Sequence, residues 1–276
     1  MTTVCLTFDF DAVSLWLGSF RATTATPMSR GQYGADVGVP RVLTLLARHD
    51  IAATFFVPAH TAVSFPDALA AIRDGGHEIA LHGDCHEAPV GRTETEEADL
   101  LDRSIEKLSQ AVGGGFQPKG YRSPAFDLSE NSIALLENRG LLYDSSMMGH
   151  DFLPYRARRG YVVDQERFEQ GPVSSVIEMP VSWELDDFPY FTFLNKPLYA
   201  GLRTPREVLE IWRDEFDHCR TQERGVFTLT MHPQIIGRGP RIAMLDELIT
   251  HMSGCQGVDF STLASEAARQ DATLPR

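Results

Sequence analysis

The chain is 276 residues long, 43% hydrophobic, and carries a formal net charge of −13. A surface this acidic excludes nucleic acid and anionic membrane as main partners, because both need a basic face, and no apolar run approaches the roughly 20 residues that cross a bilayer. The start, Met1-Thr2-Thr3, lacks the basic segment of a secretory leader, and Cys5, Cys85, Cys219 and Cys255 form no CxxC pair; the expectation is a cytoplasmic protein with reduced thiols.

In chain order, residues 3–8 read as a short buried strand that delivers Asp9 and Asp11 at its end. Positions two apart on an extended chain face the same way, so two carboxylates project together. Residues 14–38 are rich in Gly, Ser and Thr and read as a long irregular excursion, either a solvated one or a substrate-covering loop bearing Arg21, Arg30 and Tyr33. Pro40 opens a helix with Val42, Leu45 and Leu46 as its apolar stripe. Residues 53–57 form a second strand stopped by Pro58, residues 65–74 a helix, and residues 77–81 a third strand running into His82-Gly83-Asp84-Cys85-His86. Thr93 and Glu96 have capping-box spacing at the head of a helix over 95–111. A strand over 119–122 ends at Ser123-Pro124; a helix over 131–138 and a strand over 141–143 follow.

Residues 147–172 form a second excursion, basic and aromatic. A strand over 176–183 delivers Trp183, and Thr204-Pro205-Arg206-Glu207 caps a helix reaching about His218. A strand over 226–231 ends at His232-Pro233, and helix 242–252, strand 258–260 and helix 263–269 complete the chain. Alternating strands and helices predict parallel strands with helical crossovers, in a barrel or a doubly wound sheet. With no linker and no repeat, residues 1–276 read as one α/β domain of seven or eight strand–helix units.

Asp9, Asp11, His82, His86, Arg122, Trp183 and His232 all fall at carboxyl ends of predicted strands, which in a parallel barrel share one face, the face that carries active sites. His82, His86 and Asp11 make a possible His2Asp set for a catalytic divalent ion; Cys85, inside the same motif, is a weaker alternative ligand. Asp9 suits a general base, or else a second metal ligand; Arg122 would orient it, and His232 suits the acid. Such a set specifies metal-assisted hydrolysis. Pro124, Trp183 and Tyr33 are read as substrate-binding positions. Trp183, Phe188, Tyr190 and Phe191 either stack on a sugar ring or pack the core, and Asp186 and Asp187 are either pocket carboxylates or solvated charges.

Five segments carry a family resemblance: Thr7-Phe8-Asp9-Phe10-Asp11, His82 to His86, Tyr121-Arg122-Ser123-Pro124, Met179-Pro180-Val181-Ser182-Trp183 and Leu229-Thr230-Met231-His232-Pro233. In this order they resemble the NodB-type polysaccharide deacetylases. The resemblance implies an irregular (β/α) barrel of seven to eight strands, with Asp9 as base, Asp11, His82 and His86 as ligands of one divalent ion, His232 as acid, Arg122 orienting the base and Trp183 lining the pocket. Zinc is the first expectation for the ion, with cobalt, nickel or manganese also suitable.

The D-x-D form of Asp9 and Asp11, the segment Ser29-Arg30-Gly31 through Gly38-Val39-Pro40, and His232-Pro233 running on to Gly237-Arg238 resemble the intracellular branch, which includes peptidoglycan-deacetylase-like proteins, cyclic imide hydrolases and allantoinase-like enzymes, commonly homotetramers. The implied activity is removal of an acetyl group from an N-acetylated sugar or small amide. Ring opening of a cyclic imide or ureide, and a non-catalytic carbohydrate-binding barrel, are the alternatives.

Overall fold

The computed structural model describes residues 1–194, 202–223 and 225–275. Its strands are β1 (Thr2–Asp9), β2 (Thr54–Val57), β3 (Glu78–Leu81), β4 (Gly120–Tyr121), β5 (Tyr143–Asp144), β6 (Tyr155–Arg158), β7 (Tyr161–Val163), β8 (Phe168–Gln170), β9 (Val173–Glu178), β10 (Val226–Met231) and β11 (Val258–Phe260). In space the main sheet runs β10-β1-β2-β3-β4-β5-β9-β6, with β11 beside the start of β1. Every pairing in it is parallel except β6 with β9. The sheet curls into the irregular (β/α) half-barrel that the sequence implied. An isolated parallel bridge, Asp186 to Thr230, attaches the segment after β9 to β10.

Because β1 and β10 are covered on both faces, they read as continuous apolar runs rather than alternating ones. Phe8 stacks on Phe55 across β1 and β2, with ring centroids 5.0 Å apart. The helix Val39–His49 buries Val42, Leu45 and Leu46, the expected stripe. Both expected capping boxes form, Thr93 with Glu96 and Thr204 with Glu207, satisfying backbone N–H groups that a helix start leaves unpaired.

The expected excursion over 14–38 is mostly helical: Ser14–Gly18, Ala25–Tyr33 and a π turn, Gly34–Gly38. Its glycines mark close approach, not looseness. A Cβ on Gly31 would lie 2.6 Å from the Ala12 carbonyl oxygen, and one on Gly38 would lie 2.2 Å from that of Pro233. Glycine lets these helical turns press against the ends of β1 and β10. The second excursion, 147–172, contains β6 and the antiparallel hairpin β7–β8. The strand expected over 176–183 stops at Glu178, so Trp183 sits beyond β9 on a 3-10 turn, Trp183–Leu185. The helix expected over 65–74 forms as Pro66–Asp74, and a short helix that was not expected, Ala59–Ser64, precedes it.

Candidate active site

Asp9 ends β1, and its carboxylate is buried beside Arg122, which follows β4. Arg122 Nη1 donates to Asp9 Oδ1 at 2.7 Å and to Thr7 Oγ1 at 2.8 Å, while Nε and Nη2 donate to the Ser145 carbonyl and hydroxyl, each at 3.0 Å. The guanidinium also lies over the Phe56 ring, 4.1 Å from its centroid. It is wholly buried and held on every side. Burial pushes the Asp9 carboxyl up, but Arg122, with His82 and His232, brings it below its usual value, so Asp9 is ionised.

His82 follows β3 directly, and its Nδ1 lies 2.7 Å from the Arg122 carbonyl oxygen. A carbonyl only accepts, so Nδ1 carries the proton and Nε2 presents a lone pair. The Ser19 hydroxyl donates to the His86 carbonyl at 3.0 Å and lies 2.7 Å from His86 Nδ1. Its proton is spent, so it accepts from Nδ1–H, and His86 Nε2 is a lone pair too. Such outer contacts fix the tautomer of a metal-binding imidazole. Burial lowers both imidazole pKa values, that of His86 far below the ordinary one, so both rings are neutral, the form in which an imidazole can bind a metal.

The two Nε2 atoms lie 3.4 and 3.7 Å from Asp11 Oδ1. That oxygen is buried and accepts no hydrogen bond among the described residues. Burial drives the Asp11 carboxyl well above its usual pKa; only a cation would relieve an ionised carboxylate there. An orphaned carboxylate oxygen facing two imidazole lone pairs fits a divalent ion of the His2Asp type, and the three ligand atoms lie within 4.8 Å of one another. Cys85 is outside this group, and Asp84 turns away to pair with Arg103 and Lys107.

His232 follows β10. Its Nδ1 lies 2.7 Å from Asp187 Oδ1 and its backbone N–H donates to Asp187 Oδ2. Burial alone would lower the His232 pKa, yet Asp187 and Asp186 hold it well above the ordinary value, so the ring is a protonated acid with Nδ1–H on Asp187 and Nε2–H free. Asp186 and Asp187 are both buried and therefore are not solvated charges. Burial raises Asp186 to about 7. Asp187→Asn keeps an acceptor for Nδ1–H but removes the charge. Its expected effect is a basic limb of the rate profile moved to lower pH, and a loss in kcat smaller than the about 10²–10⁴-fold worth of a general acid; a pH–kcat series checks both.

These groups surround a cavity of about 220 Å³ with Phe126, Trp183 and Phe188 in its walls. Trp183 is 41% exposed and packs on Phe126, with ring centroids 4.7 Å apart. Ala12, His86, Ala125 and Phe126 all have positive φ, so backbone strain concentrates at this site. Two expected substrate positions fall elsewhere. Tyr33 is outside the cavity wall: its hydroxyl donates to the Gly237 carbonyl and Arg238 stacks on its ring. Pro124 is buried behind Ala125 and Phe126, which take its place in the wall. Ser19, Ser145, Asp187 and Gln234, whose amide Nε2 donates to Asp11 Oδ2 at 3.4 Å, join the site without a motif of their own.

The loop that holds Arg122 rests on a second carboxylate pair, Asp144 and Glu178, partners in register across β5 and β9. Glu178 accepts from the Ser146 and Met147 backbone N–H groups, and Asp144 from the Ser146 N–H and hydroxyl. Burial raises Asp144 to about 6 and Glu178 well above its usual value, so the pair shares a proton. These native values exceed those of unfolded carboxylates, so the native state keeps the proton longer and stability falls as pH rises from about 4 through 6 and beyond. Glu178→Gln supplies a permanent N–H donor to Asp144. Its melting temperature relative to wild type is expected to be more favourable at pH 8 than at pH 5; an equal difference at both would contradict the shared proton.

The family model for polysaccharide deacetylase matches residues 2–143, half of the chain. A peptidoglycan deacetylase of Helicobacter pylori is 33% identical over 268 residues, covering 92% of this chain and 91% of that protein. The chain belongs to the polysaccharide deacetylase family. A Mycobacterium smegmatis crystal structure described as a polysaccharide deacetylase is 34% identical, with a TM-score of 0.86 over 99% of this chain and 92% of that one. An allantoinase structure shares the fold, with a TM-score of 0.79 at 21% identity over 99% of this chain and 91% of that one. Both structures share the half-barrel fold with this chain.

Proposed function

We propose that the protein is a metal-dependent hydrolase of non-peptide C–N bonds that removes the acetyl group from an N-acetylated sugar or small amide. The observation that carries this reading is one site with an ionised base, Asp9, a protonated acid, His232, and an orphaned Asp11 oxygen facing two imidazole lone pairs. Asp11, His82 and His86 would hold the divalent ion, zinc by its preference for nitrogen and oxygen donors, and when bound it supplies Lewis-acid polarisation of the acetyl carbonyl. Asp9, fixed by Arg122, takes a proton from the attacking water. As the C–N bond breaks, His232 Nε2–H passes its proton to the departing nitrogen, leaving acetate and a free amine. The aromatic walls exclude water and offer a face to a sugar ring.

The four cysteines, none of them in a disulfide among the described residues, favour a cytoplasmic location. We take the assembly to be a homo-oligomer, a tetramer by family resemblance; light scattering tests it. The zinc-loaded protein is to be given N-acetyl amino sugars and cyclic imides, with acetate release and ring opening followed together. Acetate from the sugars is the expected result. Ring opening without acetate would place the chain with imide or ureide hydrolases, and binding without turnover would make it a carbohydrate-binding barrel.

A further inference from the structure

Beside the catalytic cavity lies another of about 250 Å³, whose wall includes Arg30, Arg238 and Arg241. Leu15 and Phe188 line both cavities. In a chain with 25 basic against 38 acidic residues, three guanidiniums converge on one small space, and none of them forms an ion pair among the described residues. Each lies over an aromatic ring: Arg30 on Trp16 at 4.6 Å, Arg238 on Tyr33 at 4.0 Å and Arg241 on Phe191 at 4.5 Å. Backbone carbonyls hold two of them further, Phe193 accepting from Arg30, and Ile235 and Phe191 from Arg241. Asp187, the acid acting most strongly on Arg241, already spends its oxygens on His232.

Two buried donors in the same wall, Trp16 Nε1 and Thr192 Oγ1, have no hydrogen-bond partner among the described residues. They are 5% and 7% exposed. A buried polar group without a partner is costly, and so are like charges held together. Arg238 and Arg241 also sit at the head of the helix Gly239–Ser253, which has no acidic residue in its first turn, where the helix dipole disfavours cations. An oxyanion in this cavity would offset the gathered positive charge and accept from the guanidinium donors.

We propose that this cavity is an anion subsite for the carboxylate or phosphate of a substrate whose amide lies in the adjoining catalytic pocket. The substrate class becomes an acidic N-acyl compound, such as an acetylated amino sugar bearing an acid ether or a phosphate ester. This substrate assignment rests on the deacetylase reading; the anion site does not. Two measurements separate them. Calorimetric titration of the full, zinc-loaded chain with inorganic phosphate, and separately with succinate, is compared with Arg30→Gln/Arg241→Gln, and with Arg238→Gln as an exposed variant that tests the same cluster if the double one misfolds.

Saturable binding weakened tenfold or more by the substitutions supports the site; equal binding, or none, overturns it. The second measurement compares kcat/KM for neutral N-acetylglucosamine, its 6-phosphate and its 3-O-lactyl acid. A tenfold preference for one acidic form, collapsing toward parity in the variants, supports the substrate class and tells phosphate from carboxylate. Equal rates in wild type overturn that class. No turnover of any of the three counts against deacetylation, while the titration still decides the anion site.

Discussion

Asp9→Asn is expected to lower kcat/KM by about 10³-fold or more, toward the upper end of what a positioned general base contributes, while leaving bound metal and melting temperature close to wild type. The asparagine keeps an oxygen to accept from Arg122 Nη1, the 2.7 Å contact that holds Asp9 in place, so the geometry survives and the proton acceptor does not. Metal analysis beside steady-state kinetics checks this. If Asp9 were instead a second metal ligand, bound metal would fall together with activity. If the chain were a binding barrel, ligand affinity would be the only measurable behaviour and would not change.

Asp11→Asn is expected to remove both metal and turnover. An amide oxygen carries no charge to set against the cation, and the two neutral imidazoles alone leave the site with two ligands. Altering an outer partner of a ligand commonly costs about 10–100-fold in metal affinity; losing the charged ligand itself should cost more. Because burial already drives Asp11 well above its usual pKa, replacing it with a neutral side chain relieves a desolvated charge, so the metal-free variant should melt no lower than the metal-free wild type. Competition against a chromophoric chelator reads the affinity, and calorimetry reads the melting.

Much of this architecture was legible because local chemistry and tertiary role agree. The capping boxes at Thr93 and Thr204, the apolar stripe of Val42, Leu45 and Leu46, and the continuous apolar runs of β1 and β10 all carry their own signal. The polar residues at strand ends were legible for the same reason: topology alone brings them to one face. What was missed depends on contacts between distant segments. Residues 14–38 look irregular because of glycines, yet Gly31 and Gly38 serve close packing of helical turns against residues 12 and 233.

Ser19 acts only through His86, and Asp187 only through His232; neither has a periodic or spacing cue, although the Asp186-Asp187 pair near Trp183 was a visible oddity. Tyr33 misled because an aromatic residue in a supposed loop looks available, whereas Arg238 and Gly237 occupy it. The early stop of β9 at Glu178 was hidden because the apolar run continues through Met179 and Val181, both buried outside the strand.

A metal held by Asp11, His82 and His86 is what would make this chain a deacetylase. The most direct measurement is a zinc titration of metal-free protein in which bound zinc and acetate release from an N-acetyl amino sugar are followed in the same samples. The predicted result is a rate that climbs in proportion to bound zinc, levels off at one equivalent per chain, and stays at background in Asp11→Asn. Full acetate release with no zinc bound, or no acetate at full occupancy, would contradict it.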